Sequence, residues 1–255
     1  MRRVLSLIFI LILASMACDI SIPTISMPDI DLSQFNFNSQ DKIAGSGKVV
    51  EEDRVIKDFS EITLSGMGNL ILEQGDAEGL KIQAEDNLIQ YIKVEVNKGK
   101  LEIGIQPGVS ISPTKPINYH LKIKTLEAIN LTGNGTIESP GVVARKLSID
   151  MSGSGHIKIL DVETGSIVTK LSGSGDVELG GKAQSQDTTI EGAGNFHGSE
   201  LQCGTGKVNI PGSGSAFVKV LDRMEVNISG SGAVHYKGNP EIKQNISGAG
   251  QVIQD

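Results

Sequence analysis

Leu171-Ser172-Gly173-Ser174-Gly175-Asp176-Val177 is one copy of a unit that recurs along this chain of 255 residues. The unit has an apolar residue, in most copies Ser or Thr, then Gly, any residue, Gly, any residue, and a second apolar residue. Another copy reads Ile228-Ser229-Gly230-Ser231-Gly232-Ala233-Val234. The first glycines of the C-terminal copies are Gly133, Gly153, Gly173, Gly192, Gly212, Gly230 and Gly248, with spacings of 20, 20, 19, 20, 18 and 18. A period near 20 combined with strand-like apolar alternation is the signature of a stacked solenoid.

Two residues before each first glycine stand Leu131, Met151, Leu171, Ile190, Ile210, Ile228 and Ile246. Four residues after it stand Ile137, Ile157, Val177, Phe196, Ala216, Val234 and Val252. Residues of one parity share a strand face, so these positions face a core. The paired glycines have the same parity: Gly133 with Gly135, Gly153 with Gly155, Gly173 with Gly175, Gly192 with Gly194, Gly212 with Gly214, Gly230 with Gly232, and Gly248 with Gly250. They are expected to point inward where the strand turns around a narrow core and no Cβ fits. Ser152, Ser154, Ser172 and Ser174 then face out. Asn130, Asp150, Lys170, Thr189, Asn209, Asn227 and Asn245 fill another outward slot, in ladders with a rise of about 4.8 Å. One period places His156 below Asp176 and Lys158 below Glu178. The period leaves room for two or three strands per coil, so an all-β, parallel β-helix is expected. Coils bury their apolar faces only against neighbours, and both ends therefore need capping.

Upstream, Glu61 to Leu72 holds a divergent copy around Gly66 and Gly68. Residues 79–84, 92–96, 100–105 and 119–124 alternate as strands. Lys98-Gly99 reads as a hairpin turn and 107–116 as a loop. A single helical turn is expected at 87–91.

Arg2 and Arg3 precede an apolar run from Val4 to Ala14, followed by Ser15-Met16-Ala17-Cys18. This describes a secretory signal at 1–17. The run is shorter than the ~18 apolar residues a membrane span wants. Ala17-Cys18 resembles a bacterial lipobox, in which the cysteine is acylated and opens the mature protein. Ser15 departs from the leucine usual three residues before that cysteine, and the alternative is an ordinary signal with an incidental cysteine. Acylation of Cys18 would anchor the chain to a membrane through its lipid. Residues 18–44, with Pro23 and Pro28 between Asp19 and Ala44, read as a flexible tether, unless 33–39 pairs as an edge strand. The folded domain is expected over 45–255, irregular to 125 and regular from 126.

The formal charge of −7 comes without a basic cluster, so no nucleic-acid partner is expected. Trp is absent and aromatics are 4%, which disfavours an aromatic-lined sugar groove but leaves room for a polar one. With Cys18 acylated, Cys203 has no disulfide partner; beside Gly204 it reads as a small packed residue.

The acids Asp150, Asp161, Glu163, Asp176, Glu178, Asp187, Glu191 and Glu200 are scattered, not gathered as a polysaccharide lyase or hydrolase needs. His197 and His235 share one outward slot with Phe217 between them, about 9 to 10 Å apart. That is too far to share a zinc at about 2.0–2.1 Å. No metal or cofactor is expected: the calcium-binding Gly-rich repeat is missing, and no helix follows the Gly-x-Gly triplets as a nucleotide loop requires. His197, Phe217 and His235 form the candidate binding row.

Phe59-Ser60-Glu61-Ile62 leading to Leu64-Ser65-Gly66-Met67-Gly68-Asn69-Leu70, then Lys98 to Ile103, and Leu126 to Gly135 leading into the Gly-Ser-Gly array, resemble a bacterial extracytoplasmic family. This is the DUF2807-type, auto-transporter adhesin, head GIN domain. The resemblance spans about 47–255 and implies a single-stranded, right-handed parallel β-helix. It implies little about activity. The expected protein is a non-enzymatic, adhesin-like lipoprotein of the cell envelope that binds glycan, envelope polymer or protein. The alternatives are a polysaccharide-active β-helix enzyme and a self-associating scaffold; a homo-oligomer stays open because no cap is visible in Gln251 to Asp255.

Overall fold

The strand from His156 to Leu171 shows how one coil is built. Its segments 156–159, 162–164 and 166–171 pair in parallel with the next coil: His156 with Asp176, Val162 with Gly181, and Leu171 with Ile190. A bulge after Ile159 separates the first segment from the second, so each coil has three sides. The computed structural model describes residues 42–255. The signal segment, Cys18 and all but the last residues of the tether lie outside the described residues. Ile43–Ala44, at the end of that tether, pairs with Ile111–Ser112 inside the expected 107–116 loop.

Coils follow one another through Val142–Met151, His156–Leu171, Asp176–Ile190, Asn195–Ile210 and Ser215–Ile228. The inward columns are those read from the repeat. Leu131, Met151, Leu171, Ile190, Ile210 and Ile228 are buried, as are Ile137, Ile157, Val177, Phe196, Ala216 and Val234. Phe196 is the largest member of its column. Gly198, two residues on, faces its ring, and Ala216 sits in the next coil, so small residues offset a large one within a closely packed core. Cys203 is also fully buried, with its Sγ 3.3 Å from Oε1 of the buried Gln186. Burial pushes its thiol pKa up to about 12, so it packs as a small apolar residue.

The glycine corners have a different physical reason from the expected one. A Cβ on Gly153 would land on the carbonyl oxygen of Gly133, and one on Gly173 on that of Gly153. The first glycine of each pair thus meets the backbone of the previous coil, along the stack. Only the second also looks toward the core: a Cβ on Gly155 would lie 2.8 Å from Cδ2 of Leu131. Bare backbone lets the corner amides reach the coil below, as in Ser154 N to Gly133 O at 3.0 Å and Ser174 N to Gly153 O at 3.1 Å.

The N-terminal part stacks out of chain order. Ile62 pairs with Ile129 on one side and with Leu101 on the other. Leu70 pairs with Ile137 on one side and Tyr119 on the other. The coil holding Glu61–Gly66 and Asn69–Gln74 is therefore sandwiched between two sets of strands that both follow it in the chain. Beyond it the pairing turns antiparallel. Ile92–Asn97 folds back on Lys100–Ile105 through Lys98-Gly99, whose φ angles of 50° and 81° suit a tight hairpin. Gly79–Glu85 pairs with Asn118–Ile123, and Val49–Arg54 with Gly79–Glu85. The expected helical turn is a short 3-10 turn at Ile89–Tyr91. At the other end, Glu241–Ile246 and Gln251–Gln254 pair only with the preceding coil, so among the described residues their outer edges are open. No helix among the described residues is long and apolar enough to cross a membrane.

Candidate binding face

One side of the coils carries a continuous outward row, traced through the strand registers. From the antiparallel strands Val49–Arg54 and Gly79–Glu85, which form the cap of the N-terminal part, it runs Asp53, Lys81, His120, Ile71, Glu138 and Lys158. It continues through Glu178, His197, Phe217 and His235. The segments that carry it are short and extended, so every second side chain leaves the same face.

At the C-terminal end the row becomes a stack of rings. His197 and Phe217 lie with centroids 5.2 Å apart and planes 9° from parallel; Phe217 and His235 lie 4.8 Å apart at 19°. The separation of the histidines matches two coil rises, and Phe217 fills the space between them. His235 is fixed from beyond by Asp255, whose Oδ1 lies 3.1 Å from Nδ1. No group of His, Cys, Asp or Glu among the described residues is arranged to hold a metal ion.

Beside the stack lies a groove of about 480 Å³, lined by His156, Leu160, Asp176, Glu178, His197, Glu200 and Phe217 among others. Its shape comes from the corner after the first side of the coil. Glu178 pairs with His197, yet Gly180 pairs with Glu200, so that coil carries an extra residue at the corner. The next coil is shorter there, with Gly198 opposite Val218 and Gln202 opposite Lys219. The ledge between the long and short coils forms the wall. Within the groove, Glu178 pairs with Lys158 at 3.0 Å. His156 sits in register with Asp176, as the period implied, but its ring approaches Glu178 instead, at 4.0 Å. Asp176 is taken by Asn195, which donates Nδ2 at 3.0 Å.

A second concavity, about 630 Å³, opens on the same face at the cap. Glu51, Asp53, Glu73, Lys81, His120 and Lys122 are among its lining residues. Lys81 bonds Glu51 at 3.0 Å and Gln83 bonds it at 2.8 Å. These partners, Lys81 first, hold the Glu51 carboxyl below its ordinary range, and Glu51 holds the Lys81 ammonium above its own. The gathering of charge here was not visible along the chain, because antiparallel partners carry no period.

Of the residues singled out from sequence, His197, Phe217 and His235 come together. The fourteen glycines are corners of the stack, and Cys18 lies outside the described residues. The groove residues Leu160 and Glu200 were missed as site members; their only signal is the irregular spacing of 19 against 20 in the repeat.

Solved structures similar to this chain cover 84% of it. A protein from Bacteroides fragilis described as a putative adhesin matches over 100% of its own length with 24% identity and a TM-score of 0.79. A putative adhesin from Parabacteroides distasonis matches over 100% of its length with 25% identity and a TM-score of 0.69. A protein from the same species described as a putative lipid binding protein matches over 99% of its length with 25% identity and a TM-score of 0.71. No curated relative matches the chain. A family model matches residues 58–240, which contain both the Phe59-to-Leu70 segment and most of the Gly-x-Gly array. The chain belongs to that family, DUF2807, the putative auto-transporter adhesin, head GIN domain.

Proposed function

We infer that this protein is a non-enzymatic, adhesin-like binding module of the cell envelope, tethered by acylated Cys18, whose outward row takes a repeating glycan or envelope polymer. The observation that carries the reading is the His197–Phe217–His235 stack beside its groove. Ring edges and a half-apolar cleft with a few polar groups suit recognition of a ligand. The adhesin descriptions of similar proteins support the same role and an extracellular or envelope location.

A second reading is a polysaccharide-active enzyme, favoured by the acids and bases gathered in the cap concavity. Against it, a general acid needs a raised carboxyl pKa, and Glu51 is shifted the other way.

One experiment separates the two. The full chain is incubated with a panel of envelope and extracellular polysaccharides, and both retention and release of new sugar ends are scored. Retention without release, lost in Phe217→Ala, is expected. Release of sugar ends would establish the enzyme reading instead. Absence of both, with retention on lipid vesicles or a protein partner, would overturn the glycan assignment.

A further inference from the structure

The two concavities, read separately, are unremarkable surface clefts. The strand registers relate them. His120 of the cap concavity and His197 of the ring groove belong to one outward row, separated by Ile71, Glu138, Lys158 and Glu178. That is five strand steps, or about 24 Å at about 4.8 Å each. Both clefts therefore open on the same side, in line with the stacking axis.

A parallel column runs beside this row and is rich in side-chain hydrogen bonds. In the cap, Asn69 donates to Asn118 at 3.1 Å, Asn118 to Gln83 at 3.3 Å, and Gln83 to Glu51 at 2.8 Å. Near the groove, Asn195 donates to Asp176 and accepts from the Ser215 amide at 3.2 Å. Each of these side-chain amides has more donors and acceptors than the bonds named here use.

The cations of the face are paired: Lys81 is matched to Glu51 and Lys158 to Glu178, each at 3.0 Å. Asp176 and Glu200 leave the groove a small acidic surplus, and the chain's net charge of −7 repels polyanions at longer range. A ligand crossing the coils would leave this side after about four residues, since the segment 156–159 ends at the bulge. Only a ligand lying along the axis meets both clefts and the amide column between them.

Resting on the binding reading above, we propose that the two clefts are subsites of one elongated site, and that its ligand is an uncharged, hydroxyl-rich linear polysaccharide lying parallel to the solenoid axis. Each cleft holds a short stretch of the polymer, and the row between holds it in line. Affinity then rises with chain length, because the second cleft is filled intramolecularly.

The test uses the full chain and uncharged gluco-, manno- and galacto-oligosaccharides graded from disaccharide to decasaccharide, with affinity measured by titration calorimetry. The expected result is weak binding of the shortest oligomers and a gain on the order of a hundredfold once the oligomer spans both clefts. His120→Ala should erase that gain and leave the short oligomers unaffected; Phe217→Ala should weaken both. His120→Gln, which preserves a polar side chain, serves as a second variant, with thermal unfolding confirming the fold. Affinity that does not depend on length, or a long oligomer indifferent to His120, would overturn the elongated site and leave the binding reading intact. Capture of acidic glycans alone would overturn the uncharged-ligand assignment. Binding of no glycan at all would overturn both this proposal and the reading it rests on.

Discussion

The phenyl ring of Phe217 lies nearly parallel to the imidazole of His197, with centroids 5.2 Å apart, because one turn of the solenoid brings the two residues into register. Each aromatic pair of this kind contributes about 0.5–1.5 kcal/mol beyond area burial. Phe217→Ala removes two pairs and should lower stability by about 1–3 kcal/mol. Phe217→Leu keeps most of the buried area and loses the ring. Chemical denaturation of both variants, beside polysaccharide retention, separates packing from recognition: binding and stability should fall in both, and stability further in the alanine variant, which loses buried area as well as the two ring pairs.

Gly173→Ala places a methyl group on the carbonyl oxygen of Gly153. The offending atom is backbone in the adjacent coil, so relief requires the coils to separate. The expected cost is about 3 kcal/mol or more. Ser174→Ala, on the exposed side of the same corner, should stay within about 0.5 kcal/mol of the parent. Equal unfolding midpoints for the two variants would contradict this account of the corner.

Tyr119 is fully buried and its hydroxyl has no hydrogen-bond partner among the described residues. Burial alone raises its pKa. Tyr119→Phe removes an unsatisfied polar atom while keeping the ring, and should stabilise the fold by about 1 kcal/mol. Tyr119→Ala should cost about 3–5 kcal/mol. Urea unfolding curves decide both.

Glu85 is 1% exposed and ties two other segments to its own strand. Its carboxylate accepts the Thr114 hydroxyl at 2.5 Å, the Thr114 amide at 2.8 Å and the Gly47 amide at 2.6 Å. These bonds, the Thr114 hydroxyl first, hold its pKa below the ordinary 4.5. A lowered folded-state pKa contributes stability that is complete above the unfolded value and is lost as pH falls through the folded one. The melting temperature of the parent should therefore drop on acidification below about pH 4.5, and Glu85→Gln should show a shallower drop from a lower starting value. Thermal unfolding followed across that range measures both slopes.

Cys203 should resist alkylation in the folded protein and react fully once unfolded, since its thiol is both buried and pushed up to about 12. Modification at a rate independent of denaturant would show that the second side of the coil opens in the native state.

The regular coils were legible from residues alone because their contacts repeat. Met151 must lie over Leu171, and His156 beside Asp176, whenever each turn of chain has the same length and parallel strands stack in register. The hydrophobic alternation then assigns inside and outside at every rung. The same arithmetic placed His197, Phe217 and His235 in one row. It did not show that His156 leans toward Glu178, since a diagonal neighbour on the same face is as close to a long side chain as the residue directly opposite.

The amino-acid order by itself determined the period, the buried columns, the glycine corners and the ring row, because each depends on spacing within one strand or between successive turns. Tertiary structure alone decided the rest. It inserted the 61–74 coil between two sets of strands that both come later in the chain, and it joined Asp53, Lys81 and His120 across antiparallel partners. It also turned one long corner beside a short one into a groove. Those features depend on which non-adjacent strands pair and on where a coil gains or loses a residue, and no local periodicity carries that information.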